Sequence, residues 1–136
     1  MTHRGFAGTW KLDLQRSDIP TVTRSQILVI ETDGVLVTVR EELVNDKGEA
    51  LTISVEGKFD GKDYPVKGTP FADTVAYRLL DPQTIEGVAK KDGKVVVRET
   101  AVLSDAGDGV RVTYLSFDAQ GNTAESHGLF ERVEHP

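Results

Sequence analysis

Cysteine is absent from the 136 residues of this chain. Its absence excludes disulfides, thiolate nucleophiles and Cys-ligated metal sites. Long apolar runs are also missing, because no stretch approaches the roughly 18 residues that a membrane-spanning helix needs. The first ten residues, MTHRGFAGTW, lack the apolar segment of a secretory signal peptide. We therefore expect no membrane span and a cytoplasmic location as the chain stands, or a periplasmic or secreted one if a signal peptide was removed.

Basic residues are fewer than acidic ones, with 16 Lys and Arg against 22 Asp and Glu. The net charge of −6 argues against nucleic acid and anionic membranes as partners, since both attract an excess of Lys and Arg. An apolar content of 38% is typical of a globular protein rather than a disordered one. The length predicts a single domain over residues 1–136, and the sequence leaves its oligomeric state open.

Turn signals divide the chain at short intervals. Asp-Gly pairs or short Asp-to-Gly segments occur at 33–34, 46–48, 60–61, 92–93, 105–109 and 118–121, and Asp81-Pro82 adds another turn. The segments between them are rich in Val, Ile, Thr, Tyr and Phe, which favours β-strands. The predicted strands are 7–14, 25–32, 35–44, 50–59, 63–67, 73–80, 84–90, 94–103, 109–117 and 123–133. No segment has sustained helical spacing, and 15–24, which contains Pro20, is predicted to be a crossing loop.

Several of these strands alternate apolar and polar side chains. In the fourth strand, Leu51, Ile53 and Val55 share one face, and polar residues occupy the other. Such alternation indicates a sheet with one face on a core and one in water. A long meander of this kind either exposes two edges or closes, and closure removes the aggregation hazard of free edges. The predicted fold class is therefore all-β, a single antiparallel up-and-down barrel of about ten strands, with room for one small ligand.

The two ends of the chain resemble the lipocalin and fatty-acid-binding superfamily, the calycins. The opening FAGTWKL, residues 6–12, is similar to its Gly-X-Trp first strand, and FERV, residues 130–133, to the closing strand of the fatty-acid-binding branch. The stretch 59–74 resembles a group of small bacterial lipocalin-like proteins. The resemblance implies that Trp10 plugs the closed end of the barrel under an Arg from a late strand, either Arg132 or Arg111. We interpret Trp10 and Arg132 as structural residues.

Two branches of the superfamily suggest ligands. Fatty-acid-binding proteins hold the ligand carboxylate with an Arg-X-Tyr pair, but Gly128 and Phe130 stand at the matching positions, which disfavours a fatty acid. Haem-binding nitrobindins place a His on the closing strand, where this chain has His127 two residues away. Haem is therefore an alternative, although we expect no cofactor. His3 and His135 lie near the termini, and we expect no metal site.

Carboxylates interrupt two apolar faces. Glu41 shares its parity with Val37, Val39 and Leu43, and Glu99 shares its parity with Val95, Val97 and Ala101. A carboxylate inside a barrel must be paired or protonated. Each Glu is thus either turned outward by a bulge or placed at a wet rim, or it is a polar anchor for a ligand.

Tyr77 and Tyr114 also fall on apolar faces, where a Tyr offers apolar area and one hydroxyl. Either is also an ordinary core residue in many proteins, and a lone strand His such as His127 is more often solvated than catalytic. The loop after Tyr64-Pro65-Val66 is predicted to lie at one barrel mouth. The predicted ligand-binding residues are Glu41, Tyr77, Glu99, Tyr114, Val39, Val55 and Val97, in a cavity that also includes Val37 and Ile53.

Three functions remain open from the sequence. A lipocalin-like binding protein for a small, mostly apolar molecule is favoured by the resemblance and the inward Tyr residues. The second function is a barrel enzyme of the lyase or isomerase type, which would use an interior Glu together with a Tyr. A filled barrel with a structural or interaction role is the third. An interior carboxylate favours a ligand with a hydroxyl, amine or cation over a fatty acid, which it would repel.

Overall fold

The computed structural model describes residues 5–19 and 23–133. His3, Pro20 and His135 lie outside the described residues. The strands are β1 (Gly8–Leu12), β2 (Thr23–Thr32), β3 (Leu36–Asn45), β4 (Ala50–Lys58), β5 (Asp63–Lys67), β6 (Thr74–Asp81), β7 (Thr84–Lys91), β8 (Lys94–Leu103), β9 (Gly109–Phe117) and β10 (Thr123–Arg132). A single 3₁₀ turn, Leu14–Arg16, follows β1 within this part of the chain.

The ten strands form a closed antiparallel up-and-down barrel. Each strand pairs with its neighbours in sequence, and β1 closes the barrel by pairing with β10 as well as β2. Trp10 lies opposite Arg132, and Leu12 lies opposite Phe130. The predicted fold class is confirmed, and so is the pairing of the first and last strands.

The first strand is shorter than the predicted segment 7–14, because β1 ends at Leu12. The Asp13 carboxylate accepts a hydrogen bond from the Gln15 backbone N–H at 3.1 Å, and this cap begins the 3₁₀ turn. The chain nevertheless stays beside β10, since the Asp13 and Asp18 amides donate to the Leu129 and His127 carbonyls. The 13–19 segment therefore continues the wall of the barrel.

The other local difference is a bulge in β8. Ala89 pairs with Val97 but Lys90 pairs with Val95, so Val96 has no partner on β7. A bulge of this kind shifts the alternation of the strand by one residue. The prediction that Val95 and Val97 share the interior face is therefore wrong for Val95. Val96 lines the interior beside Val97 instead.

One end of the barrel is packed solid. Trp10, Phe130, Leu103, Val37 and Val110 are all less than 2% exposed and fill the barrel between the β2–β3 and β8–β9 hairpins. The Trp10 indole N–H donates to the Phe6 carbonyl at 2.9 Å, so its one polar atom is satisfied in the core. The chain thus closes this end of the barrel, and the β5–β6 loop lies toward the other end.

Candidate binding site in the barrel interior

Four residues form a row across neighbouring strands. Tyr77 on β6 lies opposite Gly87 on β7, Gly87 lies opposite Glu99 on β8, and Glu99 lies opposite Tyr114 on β9. Residues directly opposite each other point to the same face of a sheet. The register therefore brings both predicted Tyr residues and one predicted Glu to a single level of the interior.

Gly87 leaves a gap in the middle of this row. A Cβ atom there would lie 3.1 Å from Cε1 of Tyr77 and 3.8 Å from Oε2 of Glu99. The missing side chain lets the Tyr77 ring and the Glu99 carboxyl approach each other across β7. The sequence signal for this residue is a Gly inside a strand, which often marks a close approach, but we did not predict Gly87 as a site residue.

Glu41 reaches the same space from β3. It pairs with Leu28 on β2 and Ile53 on β4, and its side chain lines the cavity with Glu99 and Tyr77. The bulge that would have turned either Glu outward does not occur at Glu41 or at Glu99, because both keep regular pairs on each side. Both carboxyls are half-buried, since the cavity leaves part of their surface uncovered.

The interior cavity has two lobes that share Val39, Glu41, Tyr77 and Glu99. The larger lobe has a volume of about 180 Å³ and extends toward the β5–β6 loop at the mouth. It is lined further by Ile53, Val55, Val66, Thr69, Phe71, Ala72, Val75, Ala89, Val96 and Val97. The smaller lobe has about 50 Å³ and lies toward the packed end, among Leu28, Ile30, Val37, Ile85, Gly87, Ala101, Val112 and Tyr114. The structure thus brings all of the predicted ligand-binding residues to one cavity.

The two carboxyls lack protein partners within the described residues. Neither Glu41 nor Glu99 accepts a hydrogen bond or forms an ion pair there, and no Lys, Arg or His among those residues lines either lobe. Burial raises the pKa of Glu41 to about 7. Burial, and then the charge of Glu41, raise the pKa of Glu99 to about 8. The pair therefore retains at least one proton at neutral pH.

The two tyrosines remain neutral hydrogen-bonding groups. Burial raises the pKa of Tyr77 and of Tyr114 well above the ordinary value, and the charges of Glu99 and Glu41 raise each pKa further. Gln26, only 7% exposed, opposes this shift at Tyr114 through a side-chain hydrogen bond. Gln26 was missed in the sequence, although its parity with the apolar Leu28 and Ile30 was the available signal.

His127 lies away from the cavity, on the face of β10 opposite to Gly128 and Phe130. Its Nδ1 is 3.2 Å from the Asp18 carboxylate and its Nε2 is 3.5 Å from that of Glu125. A haem bound through His127 would therefore lie outside the barrel, and the interior residues do not fit that group. Within residues 5–19 and 23–133, no cluster of three or more His, Asp or Glu side chains is placed to hold a metal ion.

The chain matches no family model, and no curated protein matches it. Over the part of the chain that the structure describes, no helix is long and apolar enough to cross a membrane. The barrel and its cavity are therefore the basis for inferring a function.

Proposed function

We propose that this protein is a lipocalin-like binding protein that takes a small, mostly apolar molecule with one polar group into the barrel. The observation that carries the proposal is the pair Glu41 and Glu99, two carboxyls that have no hydrogen-bond partner among the described residues, in a cavity otherwise lined mainly by aliphatic side chains. Ligand sites typically combine an apolar lining with a few convergent polar groups of this kind. The same pair disfavours a purely structural barrel, since apolar side chains rather than two carboxyls would fill an interior that has only a packing role.

The volume of the larger lobe limits the size of the ligand. A lobe of about 180 Å³ is close to the roughly 150 Å³ of an apolar protein cavity that binds benzene. A ligand with one ring or a short chain fits this space. A long-chain fatty acid does not fit unless the cavity expands.

The polarity of the lining also disfavours a fatty acid as the ligand. Gly128 and Phe130, at the positions where a fatty-acid clamp would be, pack against each other: a Cβ on Gly128 would lie 3.1 Å from the Phe130 ring. No described residue in the lining carries the positive charge that a ligand carboxylate would need. Hydroxyl and amino groups, by contrast, find carboxyl oxygens and two phenols.

The proposal is tested by amide chemical-shift titration with three probes of one ring: benzyl alcohol, benzylamine and benzoate. We expect saturable shifts at the cavity-lining residues for the first two. Ala89 lines the larger lobe, so Ala89→Leu fills it, whereas Ala124→Leu places the same change on an exposed part of β10. Binding should weaken at least about tenfold, a loss of roughly 1.4 kcal/mol, in Ala89→Leu only. Equal binding in the two variants, or no shift at any cavity residue, would contradict the proposal.

A second function, acid–base catalysis, is favoured by the pKa values of about 7 and about 8 at Glu41 and Glu99. General bases and acids work best near the operating pH. A carboxylate would take a proton from carbon beside a carbonyl while the Tyr77 hydroxyl hydrogen-bonds the enolate oxygen. The test is hydrogen exchange of cyclohexanone in D₂O, where a carboxyl that has exchanged its proton with solvent returns a deuteron to the ketone carbon. The NMR signals of the α-protons would therefore disappear faster with the parent protein than with the Glu99→Gln variant. Equal exchange with both proteins would exclude this function for that ketone class.

A further inference from the structure

We infer that the polar group of the ligand is a cation, a protonated amine or amidine, held between Glu41 and Glu99. This inference rests on the proposed function and names the ligand class for the same cavity. The observation that carries it is the imbalance of charge in the lining: two carboxyls on facing sides of the barrel wall and, among the described residues, no cationic side chain.

The imbalance has an energetic consequence. An ionised carboxylate away from water is costly unless it is paired, so the pair holds at least one proton at neutral pH when no cation is bound. An ammonium supplies up to three N–H donors and the missing positive charge in one group. A neutral hydroxyl can donate a hydrogen bond to one carboxyl oxygen, but it supplies no positive charge to pair with an ionised carboxylate. The lining is therefore more complementary to a cation than to any neutral head group of the same size.

The aromatic residues add to this complementarity. Tyr77 lines both lobes and Tyr114 lines the smaller one, and the two lie on either side of Glu99 in the row across β6 to β9. A cation over the face of an aromatic ring is attracted by the negative charge of the π system, and more strongly where water is excluded. Because Gly87 has no side chain, the Tyr77 ring lies close to the Glu99 carboxyl, so that one cation can contact both groups.

Binding of a cation must then be coupled to proton release. The titratable groups that face the cavity are Glu41 from β3, Tyr77 from β6, Glu99 from β8 and Tyr114 from β9. The lining residues of β2, β4, β5 and β7 are not titratable. Because both phenols stay neutral, the proton leaves a carboxyl: the ammonium enters with its charge, one carboxyl ionises, and its proton passes to solvent. Affinity for an amine therefore rises with pH until the carboxyls are ionised without it, whereas affinity for an alcohol does not.

Isothermal titration calorimetry with benzylamine and benzyl alcohol tests this coupling at pH 6.5, in two buffers of different ionisation enthalpy. We expect benzylamine to bind at least about tenfold tighter, with a buffer-dependent enthalpy that corresponds to release of about one proton. Benzyl alcohol should give the same enthalpy in both buffers. In the Glu41→Gln/Glu99→Gln variant the preference for the amine and the proton release should both disappear, whereas Glu31→Gln, an exposed acid on β2, should match the parent protein.

The outcomes separate the ligand class from the function. If benzyl alcohol or benzoate binds in the cavity as tightly as benzylamine, or if amine binding releases no proton, the ligand is not a cation. The proposed function as a binding protein is then retained. If none of the three probes binds, the proposed function fails as well. Retention of the amine preference in the double Gln variant would also overturn the assignment of Glu41 and Glu99.

Discussion

Arg132 lies over Trp10 at the point where the barrel closes, with its guanidinium carbon 4.3 Å from the centre of the indole ring. The two residues are register partners on the first and last strands. Among the described residues, the guanidinium also donates to the carbonyls of Gly5, Ala7 and Gly107, each at 2.8 Å. Arg111, the other candidate for this contact, is exposed beside His127 instead. One side chain thus ties the N-terminal segment, the β8–β9 hairpin and the core Trp together.

Trp10→Ala should therefore destabilise the barrel without touching the cavity. Trp10 has no exposed surface, and truncation of a buried aromatic side chain of this size costs roughly 3–5 kcal/mol. Denaturant unfolding measures the change. A loss below about 1 kcal/mol, the range of surface substitutions, would mean that the end of the barrel is not packed in this way.

Gly68 begins the loop that carries Phe71 to the mouth, and it should not tolerate a side chain. Its φ is +95°, and a Cβ there would lie 1.8 Å from the Thr52 carbonyl oxygen. Gly48 has a similar φ of +79° with nothing within 4 Å, so Gly48→Ala measures the conformational part alone. We expect Gly68→Ala to lose more stability than Gly48→Ala by about 1–3 kcal/mol, the cost of forced overpacking, and to shift the amides of 67–73. Equal losses of stability in the two variants would mean that the loop does not pack against Thr52, which would contradict the structure.

The two interior acids should make stability depend on pH. Their pKa values of about 7 and about 8 in the folded chain exceed the value of 4.5 expected without burial. Between pH 4.5 and pH 8 the folded chain therefore holds protons that the unfolded chain has released, so the free energy of unfolding falls as pH rises through this window. Below the window the contribution is fully present.

The Glu41→Gln/Glu99→Gln variant isolates this effect. It should unfold with nearly the same free energy as the parent near pH 5 and be more stable at pH 8.5 by roughly 1–3 kcal/mol, the scale for a buried polar group without a partner. The exposed Asp residues with lowered pKa, such as Asp18 and Asp60, act at lower pH and are common to both proteins. If the free energies of unfolding of the parent and the variant differ by the same amount at every pH from 5 to 8.5, the two carboxyls are hydrated in the folded chain and the prediction is contradicted.

Much of the fold follows from local patterns. Alternation and Asp-Gly turns place every strand to within two residues, and the terminal motifs predict that β1 meets β10. The inward position of Glu41 and Glu99 follows from parity once the barrel closes. The strand positions are predictable because each depends on the sequence of a single strand or hairpin, and the pairing of β1 with β10 was predicted from the resemblance of the terminal motifs.

Other features depend on pairs of strands and could not be predicted. The bulge at Val96 exists because Lys90 pairs with Val95 while Ala89 pairs with Val97, which no single strand reveals. The gap at Gly87 matters only because Tyr77 and Glu99 flank it in register. The contact of Asp18 with His127 joins residues 109 apart in sequence. The shape of the cavity depends on the first two features, because Val96 and Gly87 both line it.

The central claim, that the barrel interior is the binding site, is tested most directly by intermolecular nuclear Overhauser effects between the ring protons of bound benzylamine and assigned valine methyl groups. Val39, Val55 and Val97 line the larger lobe, so the account predicts cross-peaks to these three, lost in Ala89→Leu. Cross-peaks confined to side chains of the outer face, such as His127 and Arg111, or none to any interior methyl group, would contradict it.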